Sequence, residues 1–114
     1  MENLATQSCE ACRIDAPLVE TDEYNKFLME IPDWQVITVD GINRLSRAFK
    51  FKDYQEALTF TNKVAVMADN ANHHPALLLE WGLVTVTWWS HKIKGLHKND
   101  FIMAAKTDIL ISSC

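Results

Sequence analysis

Apolar residues recur along the chain with helical spacing in three places. The first such stretch follows Thr21, a residue suited to cap a helix, and a proline stops the helix soon after Glu30. The second begins at the D-x-x-E capping box of residues 53–56 and runs to about Asn70. The third spans residues 98 to about 111. Its inward-facing side chains are expected to be Phe101, Ile102, Ala105, Ile109 and Leu110.

Between these helices the pattern favours strands. Residues 34–39 are rich in β-branched side chains, Asp40-Gly41 is a two-residue hairpin signal, and a return strand runs from 42 to about 51. A second pair of short strands, 77–81 and 83–89, flanks Gly82. The return strand carries apolar side chains on one parity and polar ones on the other, so one face of the sheet should be covered. The order α-β-β-α-β-β-α predicts an α+β fold, a four-stranded antiparallel sheet with helices packed on one face.

Length and charge narrow the class of protein. The 114 residues are enough for one domain, which we place at 21–114 after an irregular leader at 1–20. The net charge of −4 argues against direct binding to nucleic acid. Neither a signal peptide nor an apolar run long enough for a membrane span occurs, so a cytoplasmic location is expected.

The three cysteines, Cys9, Cys12 and Cys114, are not expected to form a disulfide framework, because none falls between Cys12 and Cys114 and such a framework needs bridges spread through the fold. Cys9 and Cys12 have the C-x-x-C spacing of half a zinc site or of a redox pair. Zinc would need two more ligands, and no second C-x-x-C is present. The alternative is that both belong simply to a flexible leader.

Histidines are clustered near element ends. All four fall between positions 73 and 97, and the first 72 residues contain none. His73 and His74 precede Pro75, which favours a turn or extended conformation just past the second helix. His91 follows the last predicted strand. Asp69 lies four residues before His73, where it could accept a hydrogen bond from that ring.

Three interpretations of this cluster follow from its chemistry. Histidine is suited to proton transfer near neutral pH, so His73, His74 and His91 could supply a general acid and a general base. The same three could bind zinc, although the i, i+4 spacing usual for metal-binding pairs on a helix is missing. Each could also be a surface or capping residue. His97 in particular stands where the cap of the last helix belongs.

The combined motif resembles the signature of pterin-4a-carbinolamine dehydratases. In that family an acidic residue, often glutamate, precedes a His-His-Pro turn by four positions, and a third histidine and an aspartate follow. Here the third histidine comes seventeen residues after the second, and Asp100 nine residues after that. Flanking segments at 31–34, 49–51 and 95–96 match as well, so the resemblance spans about residues 22–111. The matching motif positions are Asp69, His73, His74, Pro75, Trp81, His91 and Asp100.

The resemblance implies dehydration of 4a-hydroxytetrahydropterin to quinonoid dihydropterin by acid–base catalysis, without a metal or organic cofactor. It implies that His73, His74 and His91 are the site histidines. Our own hypothesis for their roles is that His74 is the acid at the departing hydroxyl, that His73 binds or polarises the pterin ring, and that His91 is base or positioner. Asp69 is expected to support His73, and Asp100 to orient His91 or help form the pocket. Pro75 and Trp34 complete the expected substrate-binding group. The other tryptophans, Trp81, Trp88 and Trp89, could wall a flat heterocycle or belong to the core.

The resemblance also carries expectations about partners. Family members form homodimers or homotetramers, and the C-x-x-C leader is similar to that of bacterial members associated with phenylalanine hydroxylase. This implies a role in recycling tetrahydropterin for aromatic amino acid hydroxylation. Mammalian relatives also serve as dimerisation cofactors of a transcription factor. Binding to a transcriptional regulator is therefore the alternative function.

Overall fold

The computed structural model describes residues 21–90 and 94–112. The leader predicted for 1–20, the three cysteines and His91 lie outside the described residues. Each described element begins and ends within one residue of its predicted bounds. The elements are α1 (Thr21–Glu30), β1 (Gln35–Val39), β2 (Ile42–Lys50), α2 (Tyr54–Ala71), β3 (Ala76–Glu80), β4 (Leu83–Trp88) and α3 (Lys98–Ser112).

The four strands form one antiparallel sheet in the order β1-β2-β4-β3, as predicted. The β1–β2 turn has positive φ at both Asp40 (54°) and Gly41 (77°), the conformation that joins two strands through two residues. At the β3–β4 turn, Gly82 has a φ of 68°, and a Cβ added there would lie 2.9 Å from the carbonyl oxygen of Phe51. Glycine is therefore required at this turn for conformation and for space.

The helices cover one face of the sheet, which confirms the predicted architecture. Leu45, Val84 and Val86 on the sheet are buried together with Phe60 and Val64 of α2. Hydrophobic burial of this kind is the main favourable term in folding. The α2 helix begins at the predicted cap, where the Asp53 carboxylate accepts a hydrogen bond from the Glu56 amide at 2.8 Å.

The α3 helix departs from its predicted pattern in its second half. Residues 99–105 are all buried, including Phe101, Ile102 and Ala105. Ile109, however, is 55% exposed, so the prediction that it faces inward is wrong. The inward positions there are taken by Thr107 and Asp108, which hydrogen-bond to buried indole rings. No helix in the described part of the chain is long and apolar enough to cross a membrane.

A charged residue also lies on the covered face of the sheet. Arg47 shares its parity with Leu45 and Phe49, and its guanidinium lies 4.3 Å from the centre of the Phe49 ring. It forms an ion pair of 2.6 Å with Asp108, which in turn accepts a hydrogen bond from Trp34 at 2.9 Å. Burial raises the pKa of the Asp108 carboxyl above its ordinary value, although both donors act to lower it.

Candidate active site

The turn after α2 sends two neighbouring histidines in different directions. Asn72 adopts the left-handed conformation, with φ 54° and ψ 38°. Its amide donates to the carbonyl of Asp69, and the amide of His73 donates to that of Ala68, both at 3.1 Å. This is the Schellman arrangement that closes many helices, and asparagine tolerates the left-handed conformation better than most residues. The prediction that the histidine pair lies on a turn just past α2 is confirmed.

His73 points into the protein and is bonded to the start of α3. Its side chain is only 2% exposed, and its Nε2 lies 2.7 Å from Oδ1 of Asp100. The other carboxylate oxygen of Asp100 accepts from the Ser90 hydroxyl and from the His97 amide, both at 2.8 Å. Because these partners are donors, we assign Asp100 as the ionised acceptor and place the proton of the His73 ring on Nε2.

The same aspartate begins α3. The His97 ring nitrogen Nδ1 accepts from the Asn99 amide at 3.1 Å, while the carboxylate of Asp100, three residues after His97, accepts a hydrogen bond from the His97 amide. This reciprocal pair is a capping box in which histidine replaces the usual serine or threonine. The prediction that His97 caps the last helix is confirmed. Asp100 therefore joins the helix cap to the catalytic candidate His73.

A tryptophan ring lies against His73. The Trp88 indole is fully buried and parallel to the His73 ring, with an angle of 6° between the planes and 5.6 Å between the centroids. Its Nε1 donates to the Thr107 hydroxyl at 3.2 Å, and that hydroxyl donates to the Met103 carbonyl at 2.7 Å. A side chain this deeply buried belongs to the core, so Trp88 does not wall a substrate pocket.

His74 has a more open environment. Its side chain is 58% exposed, and its Nε2 lies 3.1 Å from Oδ1 of Asp69, whose side chain is 82% exposed. The expectation that Asp69 supports His73 is therefore wrong. The i, i+4 argument assumed that the helix continues, but the left-handed Asn72 turns His73 inward and brings His74 next to the carboxylate.

The other expected binding residues are dispersed. Pro75 follows His74 directly and is half-buried. Trp34 is buried, with its indole nitrogen on Asp108 beside Arg47, and the structure does not bring it together with the histidine pair. Trp81 is 72% exposed at the β3–β4 turn.

Metal and cavity geometry add little to this site. Among residues 21–90 and 94–112, no group of three or more His, Cys, Asp or Glu side chains could hold a metal ion. A groove of about 930 Å³ lies between α2 and α3, lined in part by Val66, Met67 and Leu110. A second groove, of about 620 Å³, lies beside the end of β2 and the start of α2. Neither groove is lined by the histidine pair.

Sequence reasoning missed three contacts of this site. Ser90 lies at the end of β4 and bonds to Asp100, and only its position beside His91 could have suggested it. The hydrogen bond that the His97 amide donates to Asp100 did have a local signal, because an acidic residue three positions after a cap residue is the capping-box spacing. The stacking of Trp88 on His73 had no local signal, since it depends on the fold bringing β4 under the α2–β3 turn.

Comparisons with known proteins identify the family of this chain. Residues 17–110 match the family described as Pterin 4 alpha carbinolamine dehydratase. A protein of Nitrosococcus oceani is 60% identical over 111 residues, covering 97% of this chain and 98% of that protein. One of Syntrophotalea carbinolica is 56% identical over 111 residues, covering 97% and 99%. Both are provisionally named pterin-4-alpha-carbinolamine dehydratase.

Solved structures show the same fold. A Brucella melitensis protein described as a transcriptional coactivator/pterin dehydratase superposes with a TM-score of 0.73 at 32% identity, covering 82% of this chain and 98% of that one. A pterin dehydratase-like protein described as a RuBisCO assembly factor shares the fold alone, with a TM-score of 0.58 at 19% identity. The family match, the identity of these relatives and the shared fold lead to one conclusion: this chain belongs to the pterin-4-alpha-carbinolamine dehydratase family, whose members are hydro-lyases.

Proposed function

We propose that the chain dehydrates a 4a-hydroxytetrahydropterin to the quinonoid dihydropterin by histidine acid–base catalysis. The observation that carries the proposal is the paired arrangement after α2. There the exposed His74 is bonded to Asp69, and the buried His73 is bonded to Asp100. Membership of the dehydratase family supplies the reaction. The two histidines supply groups suited to moving its protons near neutral pH.

The reaction needs only proton transfers. The bond between C4a and its hydroxyl breaks, the hydroxyl takes one proton and leaves as water, and the ring nitrogen beside C4a loses its proton as the C=N double bond forms. A general acid must therefore reach the hydroxyl, and a general base must reach the ring nitrogen.

His74 is suited to the acid role because more than half of its side chain is open to an arriving ligand. Its bond to Asp69 through Nε2 orients the ring. In this proposal Asp69 therefore orients the ring of His74, not that of His73. A positioned acid or base contributes roughly 10²–10⁴-fold to a rate.

His73 is suited to holding the pterin. With the Nε2 proton donated to Asp100, the neutral ring keeps Nδ1 as an acceptor for a ligand N–H group. The burial of His73 and its bond to the Asp100 carboxylate hold this ring in place more firmly than the ring of an exposed histidine is held. His91, directly after Ser90 in the chain, remains our candidate for the base or a second positioning group.

The test is the rate of dehydration of the carbinolamine generated in situ, measured against its spontaneous dehydration. We expect His74→Ala to lose roughly 10²–10⁴-fold in kcat and Asp69→Asn to lose less, because Asp69 acts only by orienting the ring. Glu80→Gln, an exposed carboxylate-to-amide change at the far end of β3, is the matched control and should retain full activity. Full activity of a folded His74→Ala enzyme would overturn the assignment.

We further propose that this dehydration serves the recycling of tetrahydropterin for an aromatic amino acid hydroxylase such as phenylalanine hydroxylase, and that the chain acts as a homodimer or homotetramer. The similarity of the leader to hydroxylase-associated members supports the first proposal. Sedimentation of the purified chain tests the proposed homodimer or homotetramer. A coupled assay with a hydroxylase tests the proposed role in recycling, because added dehydratase should accelerate the turnover of the pterin.

A second candidate function is protein binding, which the description of the Brucella melitensis protein as a transcriptional coactivator favours. The two functions separate cleanly in the His74→Ala variant. A binding protein keeps its partner when this side chain is removed, whereas a dehydratase loses its rate.

A further inference from the structure

The Trp88 indole faces a ring whose orientation matters for the proposed chemistry. We propose that Trp88 is a positioning residue that sets the plane of the His73 ring. The inference rests on the proposed function, because it concerns the direction in which His73 presents Nδ1 to the substrate. Trp88 itself is fully buried and acts only through His73.

The bond to Asp100 leaves one motion of His73 weakly restrained. The ring turns about its Cβ–Cγ bond, a torsion with broad preferences in histidine. Nε2 lies closer to that axis than Nδ1 does, so a rotation that swings Nδ1 widely moves Nε2 less. A hydrogen bond of 2.7 Å at Nε2 therefore fixes the position of the far end of the ring better than it fixes the orientation of the ring plane.

A flat surface parallel to the ring supplies the missing restraint. The 6° angle between the Trp88 and His73 planes means that a rotation of His73 would drive one ring edge into the indole. Close packing resists such a motion more strongly than a single hydrogen bond does. The centroid distance of 5.6 Å lies within the range that aromatic pairs prefer.

The indole can play this part because it is itself held. Trp88 pairs with Leu45 in the sheet, which fixes its backbone, and its Nε1 donates to Thr107 on α3 at 3.2 Å. Thr107 is fully buried, and its hydroxyl is oriented by its own bond to the Met103 carbonyl. The Trp88 ring is thus held by the sheet and by α3, and it lies parallel to the His73 imidazole, whose Nε2 is bonded to Asp100.

The test compares a flat and a non-flat replacement. Trp88→Phe keeps an aromatic surface and loses the bond to Thr107, whereas Trp88→Leu loses both. We expect Trp88→Leu to lose about 10–100-fold in kcat, because a misplacement of about 1 Å costs up to 10²-fold, with KM changed less than about threefold. Trp88→Phe should stay within about threefold of the original kcat. Phe60→Leu, an equally buried aromatic-to-leucine change away from His73, is the control and should retain kcat.

A measurement on the ring separates this inference from the proposed reaction. The NMR order parameter of the His73 Cε1–H bond reports ring motion without any substrate. It should fall in Trp88→Leu and hold in Trp88→Phe, whether or not the chain is a dehydratase. The inference is overturned by an unchanged order parameter in a folded Trp88→Leu protein, by equal loss of kcat in the two Trp88 variants, or by the same loss in Phe60→Leu. Absence of dehydration in the unaltered protein overturns the reaction instead.

Discussion

The buried carboxylate of Asp100 offers the sharpest test of the site. Asp100→Asn keeps the size and shape of the side chain but removes its charge. The amide oxygen can still accept from the Ser90 hydroxyl and the His97 amide, and the NH₂ group then faces Nε2 of His73. Because an NH₂ group donates, His73 must move its proton to Nδ1. The substitution therefore inverts which nitrogen of His73 accepts a hydrogen bond.

The magnitude follows from the three bonds. Hydrogen bonds to charged groups contribute about 1.5–3 kcal/mol and neutral ones about 0.5–1.5, so each loses about 1 kcal/mol and the total is about 3 kcal/mol. The change of tautomer leaves no buried charge unpaired, which keeps the cost below that of a broken buried ion pair. For a domain of this size, a loss of about 3 kcal/mol lowers Tm by ~12–24 °C.

Two measurements check this prediction. Thermal unfolding followed by circular dichroism gives the change in Tm, and the ¹⁵N spectrum of the imidazoles shows which His73 nitrogen carries the proton. Asp69→Asn, the same chemical change at the exposed His74 pair, is the control and should leave Tm unchanged, because exposed ion pairs contribute little. A Tm close to that of the unaltered protein, together with a proton retained on Nε2, would refute the reasoning.

Three further predictions concern stability. Gly82→Ala should lower the free energy of unfolding in urea by more than Gly41→Ala does. Both positions require a left-handed residue, which costs about 1–2 kcal/mol, but only at Gly82 would the added Cβ lie 2.9 Å from the Phe51 carbonyl oxygen. Equal losses in the two variants would contradict this prediction. His97→Ala should cost about 1 kcal/mol in the same measurement by removing a helix cap, and His97→Ser should restore most of the loss. At Asp108 the folded pKa is raised by burial, so the folded state holds its proton more tightly than the unfolded state. The free energy of unfolding of the unaltered protein, relative to that of Asp108→Asn, should therefore fall as pH rises from about 4 through the raised pKa and stay constant above it. A difference that does not depend on pH would exclude a raised pKa at Asp108.

Local chemistry allowed the elements of the fold to be predicted from the sequence. The Asp40-Gly41 turn, the Asp53 cap and the alternation along β2 each depend on residues close together in the chain, and each is confirmed. Arg47 is the exception within β2. Its place on the covered face depends on Asp108, which lies 61 residues away, so the alternation alone could not reveal it.

The pairing within the site was predicted less well, for a physical reason. The four-residue spacing from Asp69 to His73 indicates a contact only while the chain stays helical. A single left-handed residue, Asn72, breaks that assumption and exchanges the partners of the two histidines. Asparagine just past a helical pattern is a known stop signal, so the break itself was predictable. The inward direction of His73 was not, because it depends on Asp100 at the start of α3.

The double use of the Asp100 carboxylate links the site to local opening of α3. The His97 amide donates to the same oxygen that accepts from Ser90, so this amide exchanges with solvent only when the first turn of α3 loosens. Any such opening also releases His73. A ligand that binds to the inward-facing His73 must therefore slow hydrogen exchange at the His97 amide. Reciprocally, a change that stabilises the first turn of α3 must increase the affinity for that ligand. The exchange rate of one backbone amide thus becomes a measure of how often the site is assembled.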